Sequence, residues 1–409
     1  MPLDLEFARH QFPALKADDF IYFDNAGGAL VLGRVAERIR DYLVTSSVQI
    51  GASYSKSALA LKRLREAEAG IARLIGAARP EEIIMGASTT MLLQMLAGNC
   101  ARTLGPGDEI IVSGSEHESN FGPWELLETR GIKLIHWPVE GPDHALEPAT
   151  LKTLLTDQTK LVCFTHVSNI LGAINPVAEI TQMVHEAGAK VVVDGVAYAA
   201  HRLIEVAKWG VDFYVFSFYK AFGPHHAALY GRAEHLLALP GNNHKYTPHD
   251  KIPYKFQPGN PNYELSWGAL GILDYLIDLG QRNGGDNLDE RQSLRKAFEH
   301  IAAHEEGLAT RLLDFLNSRQ GVSIIGPDTA DKNTRVAIIS FKIAGKDSRE
   351  IVAAVDSHNI GIRHGDFHAR RLIESLGLAG QHGIIRVSMA HYNRVEEVDR
   401  LIAALEPVI

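Results

Sequence analysis

The chain has 409 residues, 46% of them hydrophobic and 22% charged, with a formal net charge of −8, which suits a globular enzyme of roughly two domains. The acidic balance and the lack of a basic stripe exclude a nucleic-acid binder, and no segment approaches the roughly 20 apolar residues of a membrane span. Met1-Pro2-Leu3-Asp4-Leu5-Glu6 lacks the features of a signal peptide, and Cys100 and Cys163 alone cannot build a disulfide framework or a cysteine-rich zinc site, so the cytoplasm is the expected compartment.

An arm over residues 1–20 leads into Phe20-Ile21-Tyr22-Phe23-Asp24-Asn25-Ala26-Gly27-Gly28, a short strand ending in a glycine turn. From about 70 to 232, helical and strand patterns alternate, the mark of a parallel sheet covered by helices. The expected strands are 82–85, 109–113, 133–137, 161–165, 190–193, 212–216 and 227–230. Residues 238–262 break the alternation with five prolines and read as a long functional loop. Helical patterns follow at 265–279 and 289–319. The tail mixes strands at 322–325, 335–342 and 383–388 with helices at 348–358 and 395–405. These patterns divide the chain into the arm, a large domain over 21–285 and a smaller α/β domain over 286–409, against which the arm can pack.

Ligands of a parallel sheet bind beyond the carboxyl ends of its strands, and five such ends carry polar residues here. Gly86-Ala87-Ser88-Thr89-Thr90 opens an apolar helix, an arrangement fit for a phosphate or for a simple N-cap. His117, in Glu116-His117-Glu118-Ser119-Asn120, either lies on a cofactor ring or is a hydrogen-bonded loop residue. His166-Val167-Ser168-Asn169 offers an amide to a ring oxygen or a carboxylate. Asp194 follows Val191-Val192-Val193, and Lys220 closes Val215-Phe216-Ser217-Phe218-Tyr219-Lys220. An acid and a lysine one strand-helix unit apart are what pyridoxal 5'-phosphate needs. The lysine forms its Schiff base, and the acid keeps the pyridine nitrogen protonated.

These stretches, with Tyr22-Phe23-Asp24-Asn25-Ala26, Gly259-Asn260-Pro261-Asn262 and Arg386-Val387-Ser388, resemble the class V aminotransferase family in the order in which it carries them. The resemblance is to the cysteine desulfurase-like branch of the fold-type I pyridoxal-phosphate enzymes. It implies an α/β fold, a large domain with a mostly parallel seven-stranded sheet and a smaller C-terminal α/β domain. It also implies roles. Lys220 would bind the cofactor and move the substrate's Cα proton, Asp194 would meet the pyridine nitrogen, and His117 would stack on the ring. Thr89, Thr90 and Ser217 would hold the phosphate, with Tyr219 reaching it. Asn260 would reach the phosphate of the neighbouring subunit in a homodimer with active sites at its interface. Asn169, Arg386 and Arg363 would bind an amino-acid substrate, since an arginine fork matches a carboxylate. A partly buried ion pair is the other reading of Arg386.

The departures from the family are equally informative. The nucleophilic cysteine of the desulfurases falls at His368, within Gly361-Ile362-Arg363-His364-Gly365-Asp366-Phe367-His368-Ala369, and imidazole cannot carry a transferable persulfide. The family's glutamine after the aspartate is Ala197, and its histidine before the lysine is Tyr219. Cys100 and Cys163 fall in apolar segments and read as packing residues. His364, Asp366 and His368 sit on a loop without fixed ligand geometry, so no metal is expected. His368 reads instead as a general acid or base on a lid, or as part of a solvated loop. No G-x-G-x-x-G, phosphate-binding lysine loop or G-x-S-x-G occurs, against a dehydrogenase, a nucleotide hydrolase or a serine hydrolase. The expected activity is a lyase-type reaction at Cβ of an amino acid, by elimination or cleavage. Transamination and epimerisation are the alternatives on the same scaffold, and a catalytically silent binding paralogue is the alternative of another class.

Overall fold

The computed structural model describes residues 2–285 and 287–409. After β1 (Ile21–Tyr22) come β2 (Ile83–Gly86), β3 (Glu109–Ser113), β4 (Lys133–Trp137), β5 (Thr159–Thr165), β6 (Lys190–Asp194), β7 (Phe213–Ser217) and β8 (Ala227–Gly231). The last seven form one sheet in the order β2-β8-β7-β6-β5-β3-β4. β8 runs antiparallel to β2 and β7, and the ladders from β7 to β4 are parallel. The sheet is therefore mostly parallel, as expected, and its apolar runs follow from being covered on both faces. Val191 and Val193 of β6 enter one core with Tyr214 and Phe216, whereas Val192 enters the other with Ile110 and Val215.

Helix Tyr263–Gly284 packs against helices Gly33–Thr45, Ser55–Ile75 and Glu290–Asn317. Glycine permits the closest of these approaches, because a Cβ at Gly280 would stand 1.8 Å from the Ser293 carbonyl oxygen. Caps fix where these helices begin: Asn262 accepts from Leu265 N at 2.8 Å, and Asp289 with Gln292 forms a capping box.

The C-terminal unit holds β9 (Val322–Ile325), β10 (Ile338–Ile343), β11 (Ile360–Gly361), β12 (Arg363–Gly365) and β13 (Ile384–Ser388). Four of these form an antiparallel sheet in the order β12-β13-β10-β9. β1 pairs in parallel with β11, and Ile21 and Phe23 are buried in this unit's core, while Ala8 and Phe12 of the arm join the large core. Asp24 bridges to Ser388. The chain start is thereby laid beside β12 and β13, which carry Arg363 and Arg386. Among the described residues, no helix is long and apolar enough to cross a membrane.

Candidate active site

The carboxyl ends of β3, β5, β6 and β7 and the turn after β2 line one cleft, which contains Thr89, Thr90, His117, Asn169, Asp194, Ser217, Tyr219 and Lys220 together. Ser88 caps helix Thr89–Cys100 by accepting from Met91 N at 3.2 Å. Thr89 Oγ1 lies 2.6 Å from Ser217 Oγ, and Thr90 Oγ1 lies 2.7 Å from Ser119 Oγ. Hydroxyls from three strand ends thus gather at one helix N-terminus, a donor set suited to a phosphate.

Burial sets the electrostatics. It pushes the Asp194 carboxyl up to about 6, against the Val196 N–H (2.9 Å to Oδ1) and the Lys220 charge. It pushes the half-buried Lys220 amine down to about 8, aided by the Arg386 charge and opposed by Asp194 and Asp24. His117 is driven to about 3 by burial and by the Lys220, His368 and Arg386 charges, so its ring is neutral. Its Nδ1 accepts from Ser119 N at 3.1 Å. An acid, a readily deprotonated lysine, a neutral imidazole and a hydroxyl cup fit pyridoxal phosphate: Asp194 would meet the ring nitrogen, Lys220 the aldehyde carbon, His117 the ring face and the hydroxyls the phosphate.

One prediction follows from the lowered lysine. At pH 7 about a tenth of the amine is neutral, against less than about a thousandth at its ordinary value. Uptake of pyridoxal phosphate by the apoprotein therefore accelerates by up to about tenfold per pH unit below 8 and levels off above it. Stopped-flow absorbance across pH 6 to 10 reads this directly, and a rate still climbing steeply at pH 9.5 contradicts it.

The outer part of the cleft adds Gly27, Arg363, His364, Phe367, His368 and Arg386. Arg386 is buried. Its Nη2 lies 3.1 Å from Asp24 Oδ1, and its Nη1 donates to the Asn169 carbonyl at 3.2 Å. Arg363, opposite Arg386 in the β12–β13 ladder, reaches Asp24 Oδ2 at 2.6 Å and is largely exposed. One carboxylate therefore holds two arginines. Gly27 makes room for it, because a Cβ there would stand 2.7 Å from Asp24 Oδ2. The ion-pair expectation for Arg386 is met, and the paired guanidinium also lines the cleft.

The 363–369 loop is pinned. Phe367 and His368 hold φ of 53° and 57°, a left-handed pair that costs roughly 2–4 kcal/mol. The His368 carbonyl accepts from Glu118 N at 2.7 Å, and the Phe367 carbonyl accepts from Asn169 Nδ2 at 3.0 Å. The Arg386 guanidinium also lies 4.0 Å from the Phe367 ring centroid. At about 1 kcal/mol for each hydrogen bond and 1–2 for the cation–π contact, these interactions offset the strain. The His368 ring stands 5.4 Å from that of His117. His364 Nδ1 faces the His382 carbonyl at 3.3 Å. Among the described residues, no group of three or more histidine, cysteine or acidic side chains could hold a metal ion.

Asn260 is not brought to this cleft. It lines a separate hollow with Gln49, Arg65 and Tyr254. Tyr219 lies in the cleft and stacks on His225 at 4.8 Å. Sequence reasoning gave no role to Asp24, Glu116, Ser119 or Thr165. Glu116 and Asp24 lie inside the stretches that carry the family resemblance, and a buried acid beside a strand end was the available signal.

The Aminotransferase class-V family description matches residues 21–401. The chain is 40% identical to the aminotransferase-like protein FGM3 of Gibberella zeae, covering 99% of this chain and 98% of that one. It is 32% identical to the cysteine desulfurase-like protein ustD of Aspergillus flavus, covering 100% of this chain and 91% of the relative. Among solved structures, the cysteine desulfurase CsdA of Escherichia coli superposes with a TM-score of 0.84 at 27% identity, covering 99% of this chain and 98% of the other.

Proposed function

The chain belongs to the class V aminotransferase family and is a pyridoxal-phosphate-dependent enzyme, and from that premise we propose that it cleaves or eliminates a group at Cβ of an amino acid without a thiol nucleophile. The observation that carries this reading is the placement of the cysteines. Cys100 and Cys163 are both buried. Burial pushes the Cys100 thiol up to about 12 and Cys163 well above its ordinary value, so neither supplies a thiolate. His368 is exposed and lines the same part of the cleft as Lys220 and Arg386, which supports a role for it at the departing group.

When bound, the cofactor supplies an electron sink for negative charge at the substrate's Cα. Arg386 and Asn169 orient the α-carboxylate, with Arg363 completing the charged wall. Lys220 takes the Cα proton as a neutral amine. His117 stays uncharged over the ring, and His368 gives or takes a proton at the departing group. Thr89, Thr90 and Ser217 hold the phosphate. We also assign a homodimer, in which Asn260 serves the partner's cleft; its position away from its own cleft supports that arrangement.

The test is product analysis. Holoenzyme given amino acids that carry a leaving group or a cleavable bond at Cβ is expected to release an alanine- or pyruvate-like product over many turnovers with no keto acid added. Turnover that requires a keto acid assigns transamination instead. Replacing both Cys100 and Cys163 by alanine is expected to leave kcat within about threefold of wild type, at a stability cost of about 1 kcal/mol each from lost packing. Complete inactivation of that folded variant would restore a thiol mechanism.

A further inference from the structure

Glu116 is a buried acid with 4% exposure, immediately before His117. It has no cationic partner among the described residues. Its Oε1 accepts from Thr165 N at 2.6 Å and contacts Ser113 Oγ, and its Oε2 accepts from Asn120 Nδ2 at 2.7 Å. Asn120 Oδ1 in turn accepts from Trp124 Nε1 at 3.1 Å. Ser113 and Thr165 are the last residues of β3 and β5. Thr165 pairs in register with Asp194 on β6, and its Oγ1 donates to the Val167 carbonyl at 2.8 Å. Asn120 belongs to the turn Glu118–Asn120, whose Ser119 bonds both His117 and Thr90.

We propose that Glu116 is the positioning residue of the cofactor cleft, a carboxyl that ties the turn carrying His117 to the ends of β3 and β5 and so fixes His117 relative to Asp194. The donor pattern specifies an acid. Thr165 N–H can only donate, and the Trp124 indole fixes the Asn120 amide so that its NH2 faces Glu116. Both Glu116 oxygens must therefore accept, and only the direction of Ser113 is left for a proton. Glutamine fails in either orientation, since its NH2 would meet the Thr165 N–H or the Asn120 NH2.

The electrostatics agree with this placement. Burial pushes the Glu116 carboxyl up to about 8, and the Asp194 charge adds to the rise against the bonds from Ser113, Asn120 and Thr165. Its proton therefore stays on at neutral pH, and the negative charge stays on Asp194, where the ring nitrogen needs it.

The experiment compares Glu116→Gln with the exchange Glu116→Gln/Asn120→Asp. In the exchanged pair, the new aspartate accepts from both the glutamine and Trp124, which restores every donor–acceptor match. Two quantities are read: the melting temperature of the apoprotein, and the affinity for pyridoxal phosphate from near-visible absorbance. The single variant is expected to melt lower and to bind pyridoxal phosphate at least about tenfold more weakly, and the exchange to recover both. Wild-type affinity and spectrum in Glu116→Gln would overturn the proposal. An exchange that recovers the melting temperature but leaves affinity at the single-variant level would also overturn it, because Glu116 would then be a packing residue only. If Glu116→Gln does not fold, Ser113→Ala removes one contact of the same carboxyl. A few-fold loss of affinity in that folded variant is expected, and none would count against the assignment.

Discussion

Replacing Lys220 by alanine is expected to lower kcat/KM by at least about 10³-fold while the protein folds and melts normally. Lys220 ends the single turn Phe218–Lys220 after β7, and among the described residues its Nζ makes no hydrogen bond or ion pair. The Thr89–Ser217 and Asp194–Val196 contacts that shape the cleft do not involve it. Deleting the amine therefore removes chemistry without removing a structural bond. The stability sign follows from its lowered proton affinity. Holding the charge in the fold costs stability at every pH below about 8, and that cost fades between 8 and the ordinary lysine value. The Lys220→Ala apoprotein should thus melt no lower than wild type at pH 7, with any gain disappearing by pH 11. A variant that retains near wild-type turnover would remove Lys220 from the mechanism.

Arg386→Ala is expected to give the second largest effect, lowering kcat/KM by about 10²–10³-fold and reducing stability. The guanidinium is buried, pairs with Asp24 and braces the Asn169 carbonyl. Its loss leaves Asp24 still paired with Arg363, so the cost stays below the roughly 3–5 kcal/mol of a buried charge left with no partner. Arg386→Lys separates the two roles. It keeps a charge for Asp24 but loses the planar fork, so KM should rise more than kcat falls while most of the stability returns. Equal losses of kcat and stability in both variants, with KM unchanged, would make Arg386 a structural ion pair only.

The parts of this site that local pattern can encode were legible. Val191-Val192-Val193 and Val215-Phe216-Ser217 read as buried strands because each alternate residue meets an apolar core on its own face of the sheet. Asp194 and Lys220 stood out because they end such runs. Strand starts were less legible. Asp212 reads as strand, yet its carboxylate accepts from Val191 N at 2.8 Å and faces His185 and His235, so the ladder begins one residue later. Arg335 likewise precedes β10, with its side chain turned onto the carbonyls of Pro327, Val336 and Ile338. Helices Gly33–Thr45 and Ser55–Ile75 also lie outside what the patterns assigned.

Long-range partners were not legible. Asp24 reaches Arg386 across 362 positions because β1 pairs with β11 and lays the chain start beside β13. The 363–369 loop had two readings, a lid or a solvated segment. It is held in a left-handed turn by Glu118 and Asn169, contributed by the loops after β3 and β5. Nothing within those seven residues announces such contacts.

The most direct test of thiol-free chemistry at Cβ is the near-visible absorption of the pyridoxal-phosphate-loaded protein, followed while single amino acids are added. A band that is absent from Lys220→Ala, changes with one class of β-substituted amino acid and returns unaided as product forms is the predicted result. A band that changes and stays changed until a keto acid is supplied, or a protein that remains colourless after incubation with pyridoxal phosphate, would contradict the account.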